Sequence, residues 1–169
     1  MIGRVRRPPT EQTRRRPARR DTRPRAAAEL YDAHGHALLG LAKLLLADRG
    51  EAEAVVVHVL RSAGRRRRAS EDEADRRNLS RAVYLQATRS RLGPRAEPHY
   101  LQARGAASTR WSVGGLGVDT LSEQQRAVIA LSLYGGHSHV DTAALLVLPT
   151  SVVDELLRSG LHRVRAERS

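Results

Sequence analysis

His137, His139 and Asp141 are the residues of this chain whose types and spacing come nearest to a chemical site. On a helix His137 and Asp141 would stand one turn apart and could share a metal ion, but a zinc site takes three or four protein ligands and no third one stands beside them. His34 and His36 are two residues apart and face different sides of a helix. Both clusters are therefore expected to be solvent or packing histidines, and no metal or other cofactor is expected. The GGLG run at 114–117 has no Lys-Ser/Thr after it and no strand before it, so it is not a phosphate loop. The absence of cysteine excludes disulfides, thiol nucleophiles and thiolate metal sites. No nucleophile and base stand at a recognisable spacing, and an enzyme finds no support.

What remains is the chemistry of surfaces. The net charge is +12 over 169 residues, which invites a nucleic-acid partner. Its distribution matters more than its size. Residues 1–25 carry ten arginines against Glu11 and Asp21, leaving the rest of the chain only mildly basic. That segment also holds Pro8, Pro9, Pro17 and Pro24 and almost no apolar residues, so it is expected to be a disordered Arg-rich tail able to slide along phosphates or grip an acidic protein. The tail lacks the apolar core and cleavage site of a secretory signal, and no apolar run reaches the roughly 20 residues of a membrane span. A soluble, cytoplasmic protein with no membrane partner is expected.

Three helices should precede a linker. Leu30, Leu38, Leu41, Leu45 and Leu46 recur at helical spacing over 26–47, broken by Asp48, Arg49 and Gly50. A second helix from Glu51 carries Val55, Val56, Val59 and Leu60 to Gly64 and forms a hairpin with the first. A charged stretch follows, and a third helix over 74–92 puts Leu79, Val83, Ala87 and either Tyr84 or Leu85 on one side before Gly93 and Pro94 stop it. Periodicity then disappears over 94–118, which reads as a flexible linker with a lone Trp111 suited to docking in a neighbouring groove.

The last third changes character. Ser122 is a good N-cap for a helix over 123–134 that Gly135 and Gly136 end. Ser138 can cap a short helix over 140–146, and Pro149, Thr150 and Ser151 start another that runs through Val153, Leu156, Leu157, Leu161 and Val164. This is the arrangement of a helix-turn-helix, which makes DNA binding the first expectation. Asp154 and Glu155 occupy positions expected to meet DNA, where they would repel phosphates, although a carboxylate can accept from cytosine. Their proximity to a helix N-terminus is a sufficient structural reason for them.

With those elements in place, the chain resembles the bacterial extracytoplasmic-function sigma factors over about 26–166. LYDAHGHALLGLAKLLLADRGEAEA looks like the family's opening helix pair. LSEQQRAVIAL looks like its Leu-Pro-x-x-Gln-Arg-x-Val-x-x-Leu, and HSHVDTAALLVLPTSVVDELLRSGLHRVR aligns without a gap to its helix-turn-helix. The resemblance implies an all-α protein of two small helical domains, a sigma region 2-like bundle over 26–93 and a region 4-like domain over 119–169. It implies that the first grips core RNA polymerase and melts promoter DNA, while the second reads a distal promoter element.

The family's scaffold residues persist, and its contact residues are largely replaced. The polymerase-gripping candidates are Asp48, Glu53, Ala54 and Val57, the last two apolar where the family has polar residues. Tyr84 and Arg89 are the strand-opening candidates. Ser138, Thr150, Ser151, Asp154, Glu155, Arg158 and Arg163 are the DNA-binding candidates. Two functions follow as expectations: a sigma-like regulator of transcription initiation, or a sigma-derived module that binds a protein partner, such as an anti-sigma protein, without initiating. The second would use Ala54, Val57, Val152 and Leu156 as its surface. Val57 and Leu156 exposed in a contiguous apolar patch on their respective domains would mark it, whereas their burial would mean a repacked scaffold with initiation still possible.

Overall fold

The computed structural model describes residues 22–46, 48–65, 72–92 and 120–166. Most of the Arg-rich tail, most of the charged stretch after the second helix and the expected linker with Trp111 and GGLG lie outside the described residues. The described residues are all-helical, with no strand among them. Helices α1 (Thr22–Leu45), α2 (Arg49–Gly64) and α3 (Asp72–Leu92) form one group. Helices α4 (Glu123–Ile129, continuing through a widened turn at Ala130–Tyr134), α5 (His139–Leu146) and α6 (Thr150–Ala166) form the other.

Helix α1 starts inside the segment expected to be tail. Pro24 does not prevent this, because in a first turn its missing N–H costs no intrahelical bond. Arg25 then pairs with Glu29 at 3.3 Å, one turn on. Asp48 terminates the α1–α2 turn by capping α2, its Oδ1 accepting from the Glu51 N–H at 2.7 Å. The hairpin buries Leu30, Leu38, Leu41, Ala52, Val55, Val56, Val59 and Leu60, and α3 adds Leu79, Val83 and Ala87.

The widened turn of α4 departs from the single regular helix expected over 123–134. Gly135 donates to the Ala130 carbonyl five residues back, and His137 N–H reaches the Leu131 carbonyl at 3.2 Å. Gly136, at φ 68°, then turns the chain into α5. Both Ser122 and Ser138 close reciprocal capping boxes, with Gln125 and Asp141 respectively.

Val147 ends α5 in the left-handed region at φ 55° and ψ 48°, an unfavourable conformation for a β-branched residue. Its N–H and that of Leu148 both reach the Ala143 carbonyl, which holds the turn in place. Val147 is 40% exposed, so little packing is lost by truncating it. Val147→Gly is expected to raise stability by about 1 kcal/mol, the relief of backbone strain exceeding glycine's added unfolded-state entropy. A urea midpoint that falls instead would show that the Val147 side chain stabilises the turn.

The two groups of helices do not keep separate cores. Leu121, Ala127, Val128, Ala130 and Leu131 belong to the same buried cluster as Leu38, Leu41, Leu44, Leu45 and Leu46. The end of α1 explains this: Leu41, Ala42, Leu44 and Leu45 are all buried, so the helix is apolar around most of its circumference and α2 and α3 cannot cover it alone. The C-terminal group supplies the remaining cover. Gly40 marks the closest approach, since a Cβ there would stand 2.5 Å from Cε1 of Tyr134.

Candidate nucleic-acid interface

Helix α6 is held from behind. Val153 and Gly160 are buried, and a Cβ on Gly160 would lie 2.9 Å from Ile129 Cδ1, so the glycine lets α6 lie close on α4. Gln125 ties the two together by donating from Nε2 to Ser159 Oγ at 2.9 Å. The opposite face carries Thr150, Ser151, Val152, Glu155, Arg158, Leu161, His162, Arg163 and Arg165, all exposed. Helix α6 packs on α4 and α5 and leaves this outer side open, while α1 and α3 meet the C-terminal group through α4 and the widened turn.

The two acids of α6 have partners. Asp154 pairs with Nδ1 of His139 across the turn, and Glu155 accepts from Arg158 Nη1 at 2.7 Å. The helix begins at Thr150, so both acids lie beyond the first turn, where the end charge of the helix has largely faded. The dipole explanation therefore gives way to these pairs. Arg163 donates to the Thr120 carbonyl at 3.1 Å. Exposed pairs of this kind contribute about 0–1 kcal/mol, so Arg158 can exchange Glu155 for a phosphate at small cost. Ser138 is committed to its cap, its hydroxyl bonded to Asp141 Oδ2 at 2.7 Å, while Thr150 and Ser151 stand open at the start of α6.

The polymerase-gripping candidates share the outer side of α2. Asp48 is the cap already described, and Glu53 pairs with Arg49 at 2.8 Å. Ala54 is exposed and Val57 is 38% exposed, the same fraction as Val152 on α6. Leu156 is partly buried against the core. The apolar replacements thus divide: Ala54, Val57 and Val152 face out, and Leu156 packs in.

Tyr84 is a correction. Its side chain is 2% exposed at the place where α1, α3 and α4 meet, beside Leu44, Leu45 and Ala127, so it cannot stack on an unpaired base while the helices are packed this way. Arg89 is exposed, at a groove of about 490 Å³ between α2 and α3.

Several contacts between the two groups of helices have no local signal in the sequence. Arg91 pairs with Glu123, Arg76 Nε donates to the Tyr134 carbonyl at 3.2 Å, and Ser80 Oγ lies 3.1 Å from the Gly135 carbonyl and 2.8 Å from His137 Nε2. All join α3 to the C-terminal group. Burial, the largest cause, holds the His137 imidazole below its ordinary pKa; Asp141 and a backbone hydrogen bond at Arg77 oppose it, and the positive charges of Arg77 and Arg81 add to it. Among the described residues no group of three or more His, Asp or Glu is gathered for a metal ion. None of their helices is long and apolar enough to cross a membrane. No protein-family model, curated protein or solved structure matches the chain.

Proposed function

We propose that the chain is a sigma-factor-like transcription regulator that binds core RNA polymerase through α2 and promoter DNA through α6. The observation that carries this reading is α6 itself, held on its apolar side by α4 and α5 and presenting Thr150, Ser151, Arg158 and Arg163 outward. Such a helix can enter a major groove with its N-terminal residues near base edges and its arginines near phosphates. Asp154 and Glu155 lower the electrostatic part of that affinity, so sequence-independent binding is weak.

The test is a double substitution, Asp154→Lys with Glu155→Ser. It removes two carboxylates, adds one cation and releases Arg158 from its acid partner. Non-specific duplex affinity is expected to rise at least tenfold at low salt, and the salt slope to steepen by about two phosphate contacts. Titration of a fluorescent duplex across salt concentrations measures both. An unchanged slope would mean that α6 does not approach DNA.

A second reading is favoured by one observation. Val57 and Val152 are exposed apolar residues at positions where the resembled family makes polar contacts, as a surface rebuilt for a protein partner would be. In that case the chain is a sigma-derived interaction module. It would bind neither promoter DNA nor core polymerase in competition with other sigma factors.

A further inference from the structure

We propose that the cleft between α3 and α5 binds a phosphate group, with Arg77 and Arg81 supplying charge and donors from one side and His137 closing the other. The cleft has a volume of about 290 Å³. Arg77, Asn78 and Arg81 form its α3 wall, and His137 and Asp141 the facing wall, over an apolar floor of Ala144 and Leu145. It is built from both groups of helices and exists only while they are packed together. The inference stands whether or not α6 reads DNA.

Stability does not account for the two arginines. They are exposed and one turn apart, a like-charge spacing that weakens a helix. No acid forms an ion pair with either among the described residues. Asp141, the one acid of the cleft, uses its Oδ2 to accept from Ser138 N–H at 3.1 Å and Ser138 Oγ at 2.7 Å. That carboxylate caps α5 and, as a single negative charge facing two guanidinium groups, offsets only part of the arginine charge. His137 faces the same space, its Nε2 bonded to Ser80, and burial first, then the charges of Arg77 and Arg81, push its pKa below the ordinary value against the opposing pull of Asp141. An anion in the cleft meets both guanidinium charges at once. Phosphate fits best, since planar guanidinium forks pair with its oxygens and a vicinal imidazole can donate once protonated.

Proton linkage gives the sign. His137 is the group whose charge changes, facing Arg77 and Arg81 of α3 and Asp141 of α5. Phosphate favours its protonated form, so binding takes up a proton and tightens as the pH falls toward the free-histidine range. The phosphate comes either from a nucleic-acid backbone or from a free ion or phosphomonoester.

The test uses the full chain, titrated with inorganic phosphate or with a short DNA duplex at fixed ionic strength, following the His137 imidazole resonances by NMR. Arg77→Gln with Arg81→Gln is the variant, and Arg61→Gln on α2 is the control. Both variants keep the fold, because all three arginines are exposed. Saturable phosphate binding that weakens about tenfold in the double variant and not in the control supports a free phosphate ligand. Perturbation of His137 by duplex alone, lost in the double variant, supports a backbone phosphodiester. A His137 signal that neither ligand moves, or equal affinity in wild type and the double variant, overturns the proposal. Duplex binding that fails while inorganic phosphate still binds sinks the DNA reading and leaves the cleft intact.

Discussion

Arg126→Ala should lower the unfolding free energy by about 2–4 kcal/mol, the combined cost of the cavity left by a large buried side chain and of a buried carbonyl deprived of its donor. Arg126 is 1% exposed, and its Nη1 donates to the Leu121 carbonyl at 3.0 Å. Truncation leaves that buried carbonyl without its donor and opens a cavity beside Leu44, Leu45 and Ala127, where α1 meets α4. A domain of this size is stable by about 5–15 kcal/mol in total, so the variant approaches the unfolding threshold at ordinary temperature. Arg126→Lys keeps the charge but loses the planar fork, and should fall between the two. Urea denaturation followed by circular dichroism measures both. A loss under about 1 kcal/mol for Arg126→Ala would show that the guanidinium is effectively solvated.

The second large effect is steric. Gly40 lies in the middle of α1, where alanine would ordinarily favour the helix by about 1 kcal/mol. Here a Cβ would stand 2.5 Å and 2.6 Å from two ring carbons of Tyr134, so the ring must move to admit it. Gly40→Leu adds three further carbons at the same point. Overpacking of this kind costs about 1–3 kcal/mol or more, and the strain falls on the contact between the two groups of helices. The variant is expected to separate α4 to α6 from α1 to α3 while each stays helical, seen as an increased radius in small-angle scattering and as faster hydrogen exchange at α4. Removing the obstructing ring in a Gly40→Leu, Tyr134→Ala chain should restore part of the contact, a coupling that a double-mutant cycle quantifies. An unchanged radius in Gly40→Leu would mean that Tyr134 swings aside at little cost.

These two sites show where sequence reading succeeds and where it stops. The helices α1 to α3 were legible because Leu38, Leu41, Val55, Val59, Leu79 and Val83 recur at a period near 3.6, and α4 and α5 because Ser122 and Ser138 are caps whose partners lie three residues on. The period tells which side of a helix is apolar and does not name what covers it. The meeting of Gly40 with Tyr134, of Ser80 with His137 and of Arg91 with Glu123 joins residues far apart in the chain, with no local pattern to announce them. Tyr84 shows the same limit: the period leaves either Tyr84 or Leu85 for the apolar side of α3, and the closing of α1 and α4 over Tyr84 decides between them.

The LSEQQRAVIAL motif carries a related lesson. Leu121 is buried, Ser122 caps α4, Gln125 completes the cap and holds Ser159, Arg126 reaches the Leu121 carbonyl, and Val128 and Leu131 enter the core. The most specific part of the resemblance thus consists of residues that build the scaffold. Fold can be carried by such a motif, whereas the proposed function depends on the outward residues of α2 and α6. On α6 Asp154 and Glu155 pair with His139 and Arg158 respectively, a pairing that helical spacing shows only for the second.

The central claim is the partnership with core RNA polymerase, and the direct test is competition between the purified full chain and a housekeeping sigma factor for that enzyme. Saturable displacement of the housekeeping factor, weakened by charge introduced at Ala54 or Val57, is the expected result. No displacement at a large molar excess would contradict the sigma-like reading and direct the search to protein partners of the exposed apolar face.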